Sequence, residues 1–498
     1  MDTFHLLMNG FAAALQPTNL MFAIIGCILG TLIGVLPGVG PAAGCAMLIP
    51  VTLVLNPTGA IIMLAAIYYG AMYGGTITSV LVNVPGEAAS AVTCLDGYAM
   101  AKQGRAGPAL SIAAIGSFVG GFVATLGLVV VAVPLTRFAL SFGPPEFFGL
   151  MLVGLSLVTG LAGRSLVRAL ISAILGILIA MVGIDPVMGA PRFTFGQTDL
   201  LDGFGIVPVV MGVFGISEIL LNAEAEAMKV FETKMSSLIL SLKDIKDSVW
   251  PVIRGTGIGF FLGLIPGVGA VVPTFISYAV EKRASKTPEK FGTGMIEGVA
   301  GPETANNAYA NAALIPLFTL GIPSSPTTAI IMGALMMNGL IPGPMLFKEN
   351  PQFVWAVIAS FFIGNVILLI LNLPCIPMWV AVLKIPYSIL VTLIVGFCVV
   401  GAYSLSNSVF DIGAMLAFGI VGYLFKKLDI PSAPLVLTLI LGPLMERGLR
   451  QSLEMSRGHF SIFFTRPISG ALMVIAAIVI ITSTFAALAP VKGADSQI

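Results

Sequence analysis

Charge is what this sequence has least of. Its 498 residues include 24 Lys+Arg and 23 Asp+Glu, only 9% of the chain, against 57% hydrophobic residues. Soluble domains carry about 25% charged residues, and a chain this long would need several charged surfaces around several cores. Those surfaces cannot be assembled here. The net charge of +1 leaves no basic face for phosphate, which excludes nucleic acid as a partner. Histidine is nearly missing, with His5 near the chain start and His459 in a charged stretch, so a His-based metal site or a Ser-His triad has no support. Five cysteines, Cys27, Cys45, Cys94, Cys375 and Cys398, are odd in number and form no C-x-x-C pair; they read as small buried residues. No G-x-x-x-x-G-K-[ST] phosphate loop occurs, so nothing points to an ATPase. Residues 1–22 lack the basic region of a signal peptide, and the first hydrophobic run is expected to stay as a membrane segment.

What is present is a succession of apolar runs, with a mean hydropathy of +1.03. A helix needs about 20 apolar residues to cross the hydrocarbon core. The chain reads as an all-α polytopic membrane protein with roughly 10 to 14 crossing or half-crossing segments. Gly (57) and Pro (32) fall inside these runs, so the count includes broken helices and re-entrant hairpins. From Asn222 the chain turns polar and charged. We read residues 1–221 as a first membrane repeat, 222–250 as a polar linker, 251–460 as a second membrane repeat, and 461–498 as a C-terminal membrane helix and tail.

The two repeats share short motifs in the same order. Gly34-Val-Leu-Pro-Gly-Val-Gly-Pro41 matches Gly263-Leu-Ile-Pro-Gly-Val-Gly-Ala270, Val84-Pro-Gly-Glu-Ala-Ala-Ser90 matches Ile322-Pro-Ser-Ser-Pro-Thr-Thr328, and Ile184-Asp-Pro186 matches Asp429-Ile-Pro431. Collinear matches favour an internal duplication, the architecture of many secondary transporters.

Pro-Gly-Val-Gly cannot continue a helix. The freed backbone groups must meet protein, water or ligand, and paired broken helices point to a transporter binding site. Pro37, Gly38, Gly40, Pro266, Gly267 and Gly269 are candidates on that ground, with glycine turns for close helix packing as the alternative. The second motif pair would expose N–H groups and hydroxyls at a hairpin tip. It supplies Asn83, Pro85, Gly86, Ser90, Pro323, Ser324, Ser325, Thr327 and Thr328, able to hold an anion without Lys or Arg; the alternative is an ordinary surface loop. In a third stretch Glu303, Asn306, Asn307 and Asn311 fall on nearly one helical face. Buried carboxylate and amide groups of this kind line ion paths or bind hard cations, and Glu303 could carry a proton; the alternative is a polar helix contact. Tyr69 and Tyr73 stand opposite Asn307 and Asn311 at an offset of 238.

Gly34 to Pro41, Tyr73-Gly-Gly-x-Ile-Thr-Ser79, Asn83-Val-Pro-Gly-Glu87 with Asp96-Gly-Tyr98, and Gly301-Pro-Glu-x-Ala-Asn-Asn-Ala308 together resemble the large membrane subunit, TctA, of the tripartite tricarboxylate transporter family. The resemblance runs over nearly the whole chain. It implies a translocating subunit in the bacterial inner membrane, partnered by a small TctB-type membrane subunit and a periplasmic TctC-type binding protein. It further implies secondary, gradient-driven import of a small carboxylate such as citrate, with Na⁺ or H⁺ as the coupling ion, no other cofactor and no catalysis. Thr78 and Ser79 join Glu303, Asn306, Asn307 and Asn311 in the coupling-ion set. A stand-alone carboxylate carrier or channel and, less favoured, a membrane-embedded enzyme are the competing readings.

Overall fold

The computed structural model describes residues 3–36, 39–52, 54–161, 165–185, 188–223, 238–382 and 387–488. The chain begins with helices α1 (Thr3–Ala14), α2 (Pro17–Val35), α3 (Gly40–Thr52), α4 (Pro57–Val82), a 3₁₀ turn (Ala88–Val92) that runs into α5 (Thr93–Lys102), and α6 (Ala106–Ala139). Then follow α7 (Pro144–Leu161), α8 (Leu166–Ala180), α9 (Ile206–Val210), a π-helical stretch (Met211–Ile216) and α10 (Ser217–Ala223). After residue 237 come α11 (Leu242–Gly263), α12 (Val271–Ala284), α13 (Glu297–Ala312), α14 (Leu314–Leu320), α15 (Pro326–Met337), α16 (Pro344–Glu349) and α17 (Pro351–Leu371). The last helices are α18 (Ile376–Val382), α19 (Tyr387–Ser406), α20 (Val409–Lys427), α21 (Ala433–Met455), α22 (Ile462–Thr465) and α23 (Pro467–Leu488). The β structure among the described residues is one two-residue pair, Gly183–Ile184 with Pro191–Arg192.

This is an all-α polytopic membrane protein. Among the described residues five helices, α2, α4, α6, α17 and α20, are long and apolar enough to cross a bilayer, and shorter apolar helices include α3, α8 and α15. Contacts divide the chain into two compact units, one of Met1–Leu140 with Gly205–Tyr423, the other of Ser141–Phe204 with Leu424–Ile498. Each unit draws on chain from both sides of residues 222–250.

In the first unit two helix pairs touch backbone to backbone. Along α2, Gly26, Gly30 and Gly34 recur every fourth residue and so share one face; a Cβ on any of them would press on the carbonyl oxygens of Met63, Ile67 and Ala71 of α4. Along α11, Gly255 and Gly259 meet the carbonyl oxygens of Gly301 and Ala305 of α13 in the same way, while a Cβ on Gly263 would press on the Ala312 side chain beside the Tyr309 carbonyl. Small residues at such spacing let helices approach without a side-chain layer. Each glycine track ends where its helix breaks, at Leu36 and Leu264. A buried apolar cluster, including Ile77 and Leu81 of α4, Leu110 of α6, Val299 of α13 and Trp379 of α18, fills the space beside the tracks.

Asp96, fully buried on α5, ties the loop before α13 in place. Its carboxylate accepts the N–H groups of Gly292 (2.9 Å), Gly294 (2.8 Å) and Met295 (2.8 Å) and the hydroxyl of Tyr278 (2.8 Å). These charge-assisted bonds spare the carboxylate the cost of lacking a cation. In the second unit, α21 packs against α7 and α8, and α23 against α7. There Arg192 and Arg450 pair with Asp185 (3.3 and 3.0 Å) and Glu446 (2.8 and 2.7 Å), a cluster that neutralises itself.

The glycine tracks yield a clean substitution test. Gly30→Ala and Gly259→Ala push a methyl group into backbone and are expected to destabilise by about 1 to 3 kcal/mol. At Gly257, also on α11, a Cβ would meet nothing within 4 Å, so Gly257→Ala is expected to be neutral or to stabilise by roughly 0.5 kcal/mol through helix propensity. Thermal unfolding midpoints of the three purified variants check this ordering.

Candidate functional site

Three helices of the first unit begin at one cavity of about 480 Å³. Val39, Gly40, Pro41, Ala42 and Ala43 bring the start of α3, Gly269, Ala270 and Val271 the start of α12, and Ser325, Pro326 and Thr327 the start of α15. Pro85 to Ala89, the turn entering Ala88–Val92, completes this side, while Tyr68, Met72, Phe214 and Glu218 close the other. Local sequence explains each entry. Gly40 and Gly269 take φ of +64° and +72°, a left-handed conformation that glycine adopts without strain, and the chain turns there into a new helix. Gly321 (φ +71°) caps α14, and Pro326 stands in the first turn of α15, the usual glycine-then-proline order of a helix end and a helix start. Ser325 and Thr328 cap α15 reciprocally: the Ser325 N–H donates to Thr328 Oγ1 (2.8 Å) and the Thr328 N–H to Ser325 Oγ (3.2 Å). No side chain caps α12, and Ala270 and Val271 at its start line the cavity. A helix start carries about half a positive charge together with free donors. Helix starts are favourable surroundings for an anion.

Glu87, itself in this wall, begins a buried polar layer. Glu87 accepts the Ala89 N–H (2.6 Å) on Oε2 and the Asn306 amide (3.0 Å) on Oε1. Glu303, on α13, accepts the hydroxyls of Thr76 (2.6 Å) and Thr93 on its two carboxylate oxygens. Ser79 donates to Ser90 Oγ (2.9 Å), and Ser90 to the Glu87 carbonyl (2.8 Å). Two oxygens of this layer, Asn306 Oδ1 and Asn307 Oδ1, have no hydrogen-bond partner, and buried groups left so are costly. The Tyr68 hydroxyl approaches Ser325 without closing a bond of ordinary geometry. Among the described residues no group of three His, Cys, Asp or Glu side chains could hold a metal ion.

The sequence-derived candidates sort by position. Gly40, Pro85, Gly86, Gly269, Ser325 and Thr327 line the cavity. Pro37 and Gly38 lie outside the described residues. Pro266 and Gly267 sit in the break after α11, and Asn83 caps α4 in the left-handed conformation, exposed. Pro323 is buried beside Ser324, whose hydroxyl donates to the Gly263 carbonyl (3.3 Å) and whose carbonyl accepts Tyr309 (2.9 Å); Thr328 is engaged in the cap. Thr78 and Ser79 both donate to the Gly75 carbonyl (3.1 and 2.9 Å). The polar face of α13 divides. Glu303 and Asn306 meet Thr76, Thr93 and Glu87, while Asn307 turns to Ser117 on α6 (2.7 Å) and Asn311 accepts Thr125 (3.4 Å). Tyr73 reaches Asn365 on α17 (3.5 Å).

Sequence reasoning passed over Glu87, Tyr68, Thr76, Thr93 and Glu218. Glu87 closes the Asn-Val-Pro-Gly-Glu motif and carried a signal. Phe214 and Glu218 reach the cavity from a π-helical stretch and the helix after it, and π-helical turns are common at functional sites but have no sequence signature.

Residues 20–437 match the model of the tripartite tricarboxylate transporter TctA family. The chain belongs to the TctA family. It is 46% identical over 476 residues, 95% of each chain, to an uncharacterised 52.8 kDa protein of Agrobacterium vitis described as lying in the TAR-I ttuC′ 3′ region. A second Agrobacterium vitis protein, described as uncharacterised and in the TAR-II ttuC′ 3′ region, is 48% identical over 215 residues, 43% of this chain and 89% of that protein. No solved structure matches the chain. A multi-pass membrane protein of a transporter family is thereby established.

Because Ser325 and Thr328 cap one helix start through each other, their substitutions should not add. Ser325→Ala and Thr328→Ala are each expected to cost about 1 kcal/mol, and the double variant only a little more than either single one. Thermal midpoints of the three variants measure the coupling directly.

Proposed function

We propose that the chain is the translocating subunit of a tripartite, gradient-driven importer of a small carboxylate. The observation that carries this reading is the cavity at which α3, α12 and α15 begin. A secondary transporter must bind its substrate in low-dielectric surroundings and release it again. Helix starts serve both needs, since they attract an anion without the long, adaptable side chains that a Lys or Arg cage would contribute. Gly40, Gly269 and Thr327 would meet the carboxylate from three sides, with Ser325 orienting the third helix start. Pro37, Gly38, Pro266, Gly267 and Pro323 would act through the breaks, and Glu303, Asn306, Asn307, Asn311, Thr78 and Ser79 would make up the polar layer for the coupling ion, Na⁺ or H⁺.

Family membership supports a small TctB-type membrane subunit and a periplasmic TctC-type binding protein as partners, in the bacterial inner membrane. The two glycine tracks support duplicated halves. Gly26, Gly30 and Gly34 stand at an offset of 229 from Gly255, Gly259 and Gly263, and their contacts Met63, Ile67 and Ala71 stand at 238 from Gly301, Ala305 and Tyr309. Alternating access would follow from movement of one part of the duplicated structure against the rest.

Reconstitution in liposomes tests the proposal. With the binding protein present, the chain is expected to accumulate at least one of citrate, succinate and malate when a Na⁺ or a pH gradient is imposed. Thr327→Val, which deletes a hydroxyl at the start of α15, should reduce that uptake about tenfold or more, the loss of one hydrogen bond to a charged group. Uptake indifferent to every gradient, or equal in wild type and Thr327→Val, would count against the reading.

A further inference from the structure

The cavity described above has the wrong sign for its proposed cargo. None of its described lining residues is Lys, Arg or His, while the buried Glu87 is a carboxylic acid. Three helix starts at about half a positive charge each do not offset that carboxylate and, in addition, a substrate carrying two or three negative charges. A like charge at hydrogen-bond range in a buried site costs several kcal/mol. An anion can therefore stay in the cavity only if positive charge enters with it.

Glu87 is where that charge has a seat. The residue is 6% exposed, so ionising it unpaired is expensive. Among the described residues, the groups facing it supply no permanent cation. On α13 there is Glu303, which takes the Thr76 hydroxyl. Tyr68 of α4 and Glu218 of α10 share the cavity lining. On α5 the Asp96 carboxylate is engaged by the loop before α13. On α12 Glu281 is ion-paired with Arg254 (2.8 Å), Tyr278 donates to Asp96, and Lys282 and Arg283 are exposed. An unsatisfied oxygen beside Glu87 points to an occupant. Asn306, wholly buried, bonds Glu87 through its amide nitrogen and leaves Oδ1 with no donor. A proton on Glu87 would donate to an Asn306 amide turned over, and a small cation would be ligated by the Glu87 and Asn306 oxygens as they stand.

We propose that Glu87 is the coupling group of the cavity: a single positive charge, H⁺ or Na⁺, has to neutralise it before a carboxylate is held by the helix starts of α3, α12 and α15. This rests on the carboxylate reading of the cavity given above. It makes the coupling obligatory by electrostatics, since the empty cavity repels the anion and the filled cation seat removes that repulsion. Glu303, held by two threonine hydroxyls, does not line the cavity.

The test is equilibrium binding of labelled citrate, succinate and malate to the purified full chain in lipid nanodiscs, in two arms. In Na⁺-free buffer across a pH series, a proton at Glu87 makes wild-type affinity fall by up to about tenfold per pH unit. At fixed alkaline pH, a Na⁺ seat makes affinity rise by up to about tenfold per tenfold increase in Na⁺, by the same linkage. Glu87→Gln is expected to bind with an affinity flat within about twofold across whichever series moves the wild type. Thr327→Val should weaken binding while leaving that slope in place. Without substrate, Na⁺ alone or acidification alone should raise the unfolding midpoint of wild type and not of Glu87→Gln. Wild-type binding flat in both arms overturns the role of Glu87 and leaves the carboxylate cavity standing, as does a Glu87→Gln variant that keeps the slope. Absence of binding for all three acids under every condition, or binding untouched by Thr327→Val, overturns the cavity reading and the inference with it. Should Glu87→Gln fail to fold, Glu87→Asp, which keeps the charge on a shorter arm, must retain the slope with a displaced midpoint, and an undisplaced midpoint overturns the proposal.

Discussion

The candidate site depends on two helix pairs that touch without side chains between them. Where Gly26, Gly30 and Gly34 lie on α4, and Gly255 and Gly259 on α13, the backbones approach so closely that a methyl group would be displaced by a carbonyl. Dispersion between such surfaces is the main attraction available in hydrocarbon, where burial of apolar area gains nothing over lipid. Each track stops at a break in its helix, so the contact does more than hold the pair. It fixes the place at which the next helix, α3 or α12, begins. Both helices begin at the same cavity, which is therefore set by backbone contacts rather than by adaptable side chains.

Rigidity of this kind suits a site with almost no charge to spend. In a chain with 24 basic residues, those of the first unit that form ion pairs with neighbouring elements, such as Arg254 with Glu281 and Arg105 with Asp244, do so away from the cavity lining. The polar layer is built instead from hydroxyls and amides. Thr76 and Thr93 satisfy Glu303, and Ala89 and Asn306 satisfy Glu87. Such a layer holds both carboxyl groups in low dielectric through hydrogen bonds from neutral groups.

Much of this was legible in the sequence, and the rest fails for identifiable reasons. Charge scarcity and apolar runs were enough for an all-α polytopic membrane protein, and four ordered motifs were enough for the family. The helix breaks at Gly40 and Gly269 were readable because Pro and Gly act locally. The division of the α13 face was not readable, since Glu303, Asn307 and Asn311 share a helical face and only tertiary packing turns Asn307 and Asn311 toward Ser117 and Thr125 on α6 while Glu303 meets α4. Glu87 was hidden for the opposite reason. A search for groups that attract an anion looks past a carboxylate, and its partner Asn306 stands 219 residues further along the chain.

The placement of Gly34 and Gly263 shows that close packing and the helix breaks of the Pro-Gly-Val-Gly motifs adjoin each other. Gly34 is the last contact of its track, against Ala71, and the helix ends one residue later; Gly263 is the last contact of the other and itself ends α11. Packing and breaking are successive residues of one device. A helix that is held tightly up to its break cannot relieve the freed backbone groups by sliding or unwinding, so those groups must find partners in front of them. Substitution in the tracks should then disturb the cavity as well as stability, because the last glycine of each track stands just before the break from which the next helix starts.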